Sequence, residues 1–221
     1  MALCVSVYAL QLASLVLVTS TCVRGVDWTW LTQNASVASL LWELQRTLSS
    51  NFVHLSPLHL FFNMTTLHGL GVEIEARVGS TRFLFAALSL SSLGGLANLL
   101  LCTCLQTIAW LPVHACSAGI SGFLFSLMGM QSQKMDSNLS MPLLFGSFHV
   151  PVRFYPWALL LIFSFFPGVS FVGHLCGLVL GIAFARGHLR WIEPSDALVD
   201  RLDAQMRTRA RNFVTKPALP F

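Results

Sequence analysis

The sequence predicts an all-α polytopic membrane protein, a bundle of six transmembrane helices, and three observations carry that prediction. Only 10% of its 221 residues are charged, against about 25% in soluble domains. Hydrophobic residues make up 55% of the chain, and its mean hydropathy is +0.70. The charges are also gathered, because residues 1–23, 47–72, 83–133 and 154–185 contain no Asp, Glu, Lys or Arg. A water-soluble enzyme is excluded by runs of this length. With no water inside a bilayer to satisfy peptide groups, each run must be helical.

Each helix follows from the length of its run. A crossing takes roughly 20 apolar residues, so the first two runs hold one helix each, over about 3–23 and 57–76. The third run is long enough for two. Gln106-Thr107 and the Leu111-Pro112-Val113-His114 stretch supply a polar, proline-bearing break, giving helices over about 82–105 and 118–134. As one helix the fourth run would measure roughly 48 Å, well beyond a hydrocarbon core of about 30 Å. Pro167-Gly168 divides it into about 154–166 and 170–187. No Lys or Arg precedes the first apolar run, which favours a retained span over the alternative of a cleaved signal peptide.

An even number of spans puts both termini on one side. Arg77, Arg82, Lys134, Arg153 and the basic residues from Arg186 to Lys216 share that side, and only Arg24 and Arg46 fall opposite. The positive-inside rule makes that side the cytosol. Residues 1–187 then form the membrane domain, with a lumenal loop at about 24–56, and residues 188–221 form a short basic cytosolic tail. Trp28, Trp30 and Trp42 suit an interfacial loop, Asn34-Ala35-Ser36 is a usable glycosylation sequon, and Asn138-Leu139-Ser140, on the cytosolic side, should stay bare. In the tail, residues 195–213 fit an amphipathic helix capped by Ser195, with Leu198, Leu202 and Met206 at helical spacing. It reads either as a solvated end or as a contact for anionic lipid or an unidentified cytosolic partner. No nucleic-acid partner and no cofactor are expected. Cys4, Cys22, Cys102, Cys104, Cys116 and Cys176 read as small hydrophobes within or beside apolar segments, without a metal-binding or disulfide spacing.

Polar side chains in a membrane segment are costly and are candidates for function. His59 and Asn63 lie four apart, hence on one face of the second helix, a spacing that serves interhelical hydrogen bonding as well as chemistry. Gly119-Ile120-Ser121-Gly122 opens the fourth helix, where the glycines admit a close neighbour beside the hydroxyl. Gly173-His174-Leu175-Cys176-Gly177 opens the sixth, and Gly177 with Gly181 makes a ridge of small residues that draws the face carrying His174 toward another helix. Glu73-Ile74-Glu75-Ala76-Arg77 reads as a hydrogen-bonded cytosolic end of the second helix. Taken singly, each motif is explained by packing. Helices two, four and six all run from lumen to cytosol, however, so His59, Asn63, Ser121 and His174 fall at one depth near the lumenal surface. A hydroxyl, an imidazole and two further donors at one depth form an acyl-transfer constellation of nucleophile, base and oxyanion donors. No carboxylate lies in a membrane segment except Glu73 and Glu75, at the opposite end, so the chemistry would be that of a Ser-His dyad. Paired intramembrane aspartates and a His-Glu-x-x-His motif are both absent.

From Arg46 to Arg186 the chain resembles the rhomboid family of intramembrane serine proteases, through His54, His59, Asn63, Glu75 and Gly79, then Gly119-Ile120-Ser121-Gly122 and Gly129, then His174, Gly177 and Gly181. Residues 116–125 and 166–174 are most similar to an endoplasmic reticulum branch typified by rhomboid domain-containing protein 1. The resemblance implies Ser121 as nucleophile and His174 as general base, with His59, Asn63 and the Ser121 backbone N–H as the oxyanion hole. Phe125, Gly119, Gly122 and Gly177 would support them. Where many members carry Trp-Arg in the first loop, this chain has Gln45-Arg46, and Phe125 stands where tyrosine is common. The implied activity is cleavage of membrane-protein substrates near the lumenal boundary of the bilayer, in the endoplasmic reticulum. The competing reading is a catalytically silent relative that binds or retrotranslocates membrane clients; a small channel or transporter lacks the intramembrane carboxylate or repeated half it would need.

Overall fold

A computed structural model describes residues 41, 45–108, 117–143, 146–166 and 169–214. The first predicted span, the Asn34 sequon, the three loop tryptophans and Cys4, Cys22 and Cys116 lie outside them. Helix α1 (Pro57–Thr66) starts at the N-cap Ser56, whose hydroxyl accepts the His59 N–H, and Pro57 occupies the first turn, where no amide partner is lost. A single π-turn, Leu67–Gly71, passes the chain without a break into α2 (Val72–Val78). Gly79 turns it into the long α3 (Ser80–Thr107), and α4 (Ser121–Lys134) follows. A hairpin of β1 (Ser140–Leu143) and β2 (Phe148–Pro151), pairing Ser140 with Pro151 and Leu143 with Phe148, leads to the short α5 (Tyr155–Ser164). Helix α6 (Phe171–Ala185) is capped by Ser170, and α7 (Asp196–Val214) completes the described chain. Helices thus occupy five of the predicted spans and the predicted tail helix, and the hairpin is the exception to an all-α reading.

Polar contacts at both ends align α1–α2, α4 and α6. Ser121 meets His174 where α4 and α6 begin, whereas Gln131 reaches Glu73 at 3.2 Å and Arg186 reaches Gln133 at 3.2 Å where they end. The three therefore run the same way, and α3 runs against them. Glu73 also pairs with Arg77, and Glu75 accepts from Ser80, so the acidic end of α2 is a hydrogen-bonded cap.

The tightest packing is between α4 and α6. A methyl group on Gly177 would overlap the Gly122 carbonyl, and one on Gly181 would overlap the Ser126 carbonyl. Ser126 is fully buried and donates its hydroxyl proton to the Gly177 carbonyl at 2.8 Å. Backbones this close gain dispersion contacts that bulkier residues would prevent. Around the seam lies an apolar core of Met64, Ile74, Leu90, Ile120, Phe123, Leu124 and Leu127.

Much of the remaining apolar surface points outward, including Leu58, Phe61 and Phe62 of α1 and Leu84, Leu88 and Leu100 of α3. Within Ser80–Gln106 an 18-residue stretch reaches a mean hydropathy of 1.8, and only 22% of that stretch is buried. A helix so apolar and so exposed needs an apolar solvent. Among the described residues it is the one helix long and apolar enough to cross a bilayer unaided; α6 meets the same test only together with the bent segment after it, and α5 is a shorter apolar helix.

Gly181 lies a full turn beyond the seam's first contact, so replacing it tests packing alone. Gly181→Ala should destabilise the protein by about 1–3 kcal/mol, since a rigid backbone carbonyl stands in the way; thermal unfolding in detergent measures it.

Candidate active site

The seam sets the geometry of the site. Ser121 is the first residue of α4 and His174 lies in the first turn of α6, and their side chains form a hydrogen bond of 2.7 Å between Oγ and Nε2. With the hydroxyl donating, Nε2 is the acceptor and the ring proton sits on Nδ1. That atom is buried and meets no hydrogen-bond partner among the described residues. Among the described residues no carboxylate orients the ring. Phe125 takes that part: its ring stacks on the imidazole with centroids 4.5 Å apart and planes 22° apart, and is held edge-on by Phe163 of α5. Phe125 and His174 are both buried.

Gly119 joins this pair to α1. Its φ of +100° suits glycine, and its N–H donates to the Ser50 carbonyl at 2.9 Å. A methyl group there would come within 2.6 Å of the His59 ring and 3.2 Å of Asn63 Nδ2. His59 and Asn63 therefore pack directly against the turn that presents Ser121. Asn63 is buried, and its Nδ2 has no acceptor among the described residues. A buried amide left without a partner costs about 1–3 kcal/mol, a cost that is recovered if a ligand oxygen arrives.

Helix α4 supplies further donors. Side chains cap α1 and α6, but none caps α4. The first amides of a helix have no partner within it and carry the positive end of its dipole, so Ser121 stands beside uncommitted N–H groups. A hydroxyl bonded to an imidazole next to such donors has the parts of an acyl-transfer site.

The structure thus brings Ser121, His174 and Phe125 into one cluster, with His59 and Asn63 against Gly119. Gly122 and Gly177 form the contact between their helices. Sequence reasoning passed over three supports. Ser126, four residues from Gly122, completes a small-residue ridge that matches Gly177 and Gly181. Asn98 is buried in α3, and its Oδ1 would lie 3.6 Å from a methyl group on Gly173, beside His174. The third support is the helical segment at residues 45–52 ahead of α1, where Thr47 fits against Gly95 so closely that a methyl there would sit 2.8 Å from the Thr47 Cα. The first two carried a signal in their spacing and in an isolated polar residue of an apolar span; the third did not.

A rhomboid-domain family model matches residues 41–191, about two thirds of the chain, taking in α1 to α6 but not α7. The chain belongs to the rhomboid family. Rhomboid-like protein 15 of Arabidopsis thaliana is 29% identical over 79% of this chain and 44% of its own length. Human rhomboid-related protein 4 is 34% identical over 67% of this chain and 47% of its own. A protein of Yarrowia lipolytica named rhomboid-type serine protease 2 is 30% identical over 74% of this chain and 54% of its own. The chain spans about half the length of these relatives. A rhomboid is embedded in a membrane, in keeping with the exposed apolar α3.

His54, in the loop ahead of α1, is completely buried with its ring edge-on to His59 at 5.1 Å. Burial, and secondarily the His59 ring, lowers its pKa to about 4. In the unfolded chain it takes up a proton near pH 6.5, so acid stabilises the unfolded state first and His54 makes stability fall as pH drops from about 6.5 toward 4. Melting temperature against pH should show a shallower acid slope in His54→Gln. For Phe125, a leucine fills much of the space without the stack. Phe125→Leu should lower the rate at which a fluorophosphonate captures Ser121 by up to about tenfold, the worth of one aromatic pair, while its melting temperature moves little.

Proposed function

We propose that this rhomboid is an active intramembrane serine endopeptidase that cuts membrane-protein substrates near the lumenal boundary of the bilayer. The observation that carries the reading is the 2.7 Å hydrogen bond between Ser121 and His174, stiffened by the Phe125 stack. Ser121 Oγ attacks the scissile carbonyl carbon as His174 Nε2 takes its proton. The carbonyl oxygen becomes an oxyanion held by the Ser121 N–H, Asn63 and His59. On collapse of this intermediate, His174 returns the proton to the departing amine, leaving an acyl ester on Ser121. Water, deprotonated by the same imidazole, then attacks the ester and restores the hydroxyl.

The substrate must expose a carbonyl to Ser121, which an intact helix does not do. Cleavage is therefore expected where glycine or polar residues let a substrate helix unwind, after a small residue. Helix α5, in which only Pro156 and Leu160 are buried, is displaced at little cost and is the proposed gate. The proposed topology is six spans with both termini in the cytosol, in the endoplasmic reticulum membrane.

Protein reconstituted in vesicles with a transmembrane reporter tests the proposal. Ser121→Ala and His174→Ala should abolish cleavage, and Asn63→Ala should lower turnover by about 10²–10³-fold, the usual worth of an oxyanion donor. Equal cleavage by wild type and Ser121→Ala would refute it, as would reporter capture without cleavage or serine labelling, the behaviour of a silent client binder.

A further inference from the structure

Helix α7 is built in two electrostatic halves. Residues 196–203 carry Asp196, Asp200 and Asp203 against Arg201 alone; residues 204–214 carry Arg207, Arg209 and Arg211 and no acid. The acidic half is docked: Asp196 pairs with Arg82 and Asp203 accepts from Thr81, both at the start of α3, while Val199 is buried. The chain from Arg190 to Met206 turns 91° from α6. If α6 crosses the bilayer, α7 lies along its surface, on the side where the basic residues collect. Its apolar stripe is only partly used. Leu198 and Met206 remain exposed, and Met206 lines a groove of about 460 Å³ that continues onto Leu84 and Phe85 of α3, whose exposed apolar side meets lipid.

We infer that α7 is an interfacial helix whose distal half, from Ala204 to Val214, binds the anionic headgroups of the cytosolic leaflet. The acidic half fixes the helix to the protein and keeps it from leaving with the lipid. By sequence the distal half carries Arg207, Arg209 and Arg211 and no acid, and it includes the exposed Met206, the pairing of charge and apolar surface that holds a helix at a bilayer interface. What commits the surface to lipid is that the basic half adjoins a groove running from Met206 onto Leu84 and Phe85 of α3, so charge and apolar surface are offered together.

This inference rests on the membrane placement proposed above, and one experiment reads the two separately. The full chain is reconstituted in zwitterionic vesicles and in vesicles containing anionic phosphatidylserine, and backbone hydrogen exchange is followed by mass spectrometry. Protection of α3 in both preparations reports the placement. Exchange over 204–214 should be slower in the anionic vesicles by about tenfold or more, and the difference should vanish near 1 M salt, where the screening length is about 3 Å. In R207Q/R209Q/R211Q the difference should be lost with α3 still protected, and in R207K/R209K/R211K it should persist, because a headgroup field reads charge. Equal exchange in the two lipids, a difference surviving the glutamine variant, or protection arising only on addition of cytosolic protein would each overturn the inference while leaving the placement intact.

Discussion

The contact between α4 and α6 is the constraint on which the site depends. Ser121 and His174 lie at the first turns of two helices whose backbones touch, Gly177 against Gly122 and Gly181 against Ser126. Once those carbonyls and glycines meet, the first turns have no latitude to separate, and the 2.7 Å hydrogen bond follows from the packing instead of opposing it. A hydrophobic driving force is weak between helices in lipid, so close van der Waals contact and a few buried hydrogen bonds must do this work. Ser126 joins both, as a small side chain in the ridge and as donor to the Gly177 carbonyl.

Electrostatics complete what packing begins. Placing an uncapped helix start beside Ser121 leaves its first amides without a partner in the helix, and placing Asn63 against Gly119 leaves a buried amide unsatisfied among the described residues. A protein selected for stability alone would satisfy both. Holding Nδ1 of His174 without a partner among the described residues is a third such cost, beside a ring that fixes the plane of the imidazole without a charge. In a low-dielectric setting this choice is economical, because a buried carboxylate needs its own desolvation to be offset.

Much of this was legible in the sequence because a membrane makes polar residues conspicuous. Ser121, His174, His59 and Asn63 stood out in uncharged runs, and counting helices placed them at one depth; the structure brings Ser121 to His174, and His59 and Asn63 to Gly119. The tail helix and its Ser195 start followed from periodicity, and the Leu198 amide lies 3.4 Å from the Ser195 hydroxyl. What stayed hidden depends on partners far along the chain. Nothing local to Asp196 or Asp203 tells that they meet Arg82 and Thr81, and nothing in residues 140–151 separates a loop from a hairpin. Ser126 was hidden otherwise, as an ordinary serine until matched with the ridge on α6.

The π-turn at Leu67–Gly71 gives the helix that carries His59 and Asn63 two independent phases. A π-turn holds one residue more than the helix needs, so the segment below it is rotated by about 100° relative to an uninterrupted α-helix. That offset lets His59 and Asn63 face the turn before Ser121 while Glu73, at the other end, faces Gln131. The two ends are in this sense geared separately. Changes that retune the contacts of α2 need not disturb the face that carries His59 and Asn63, whereas loss of a single residue from the π-turn would straighten the helix and turn one set of contacts away from its partners.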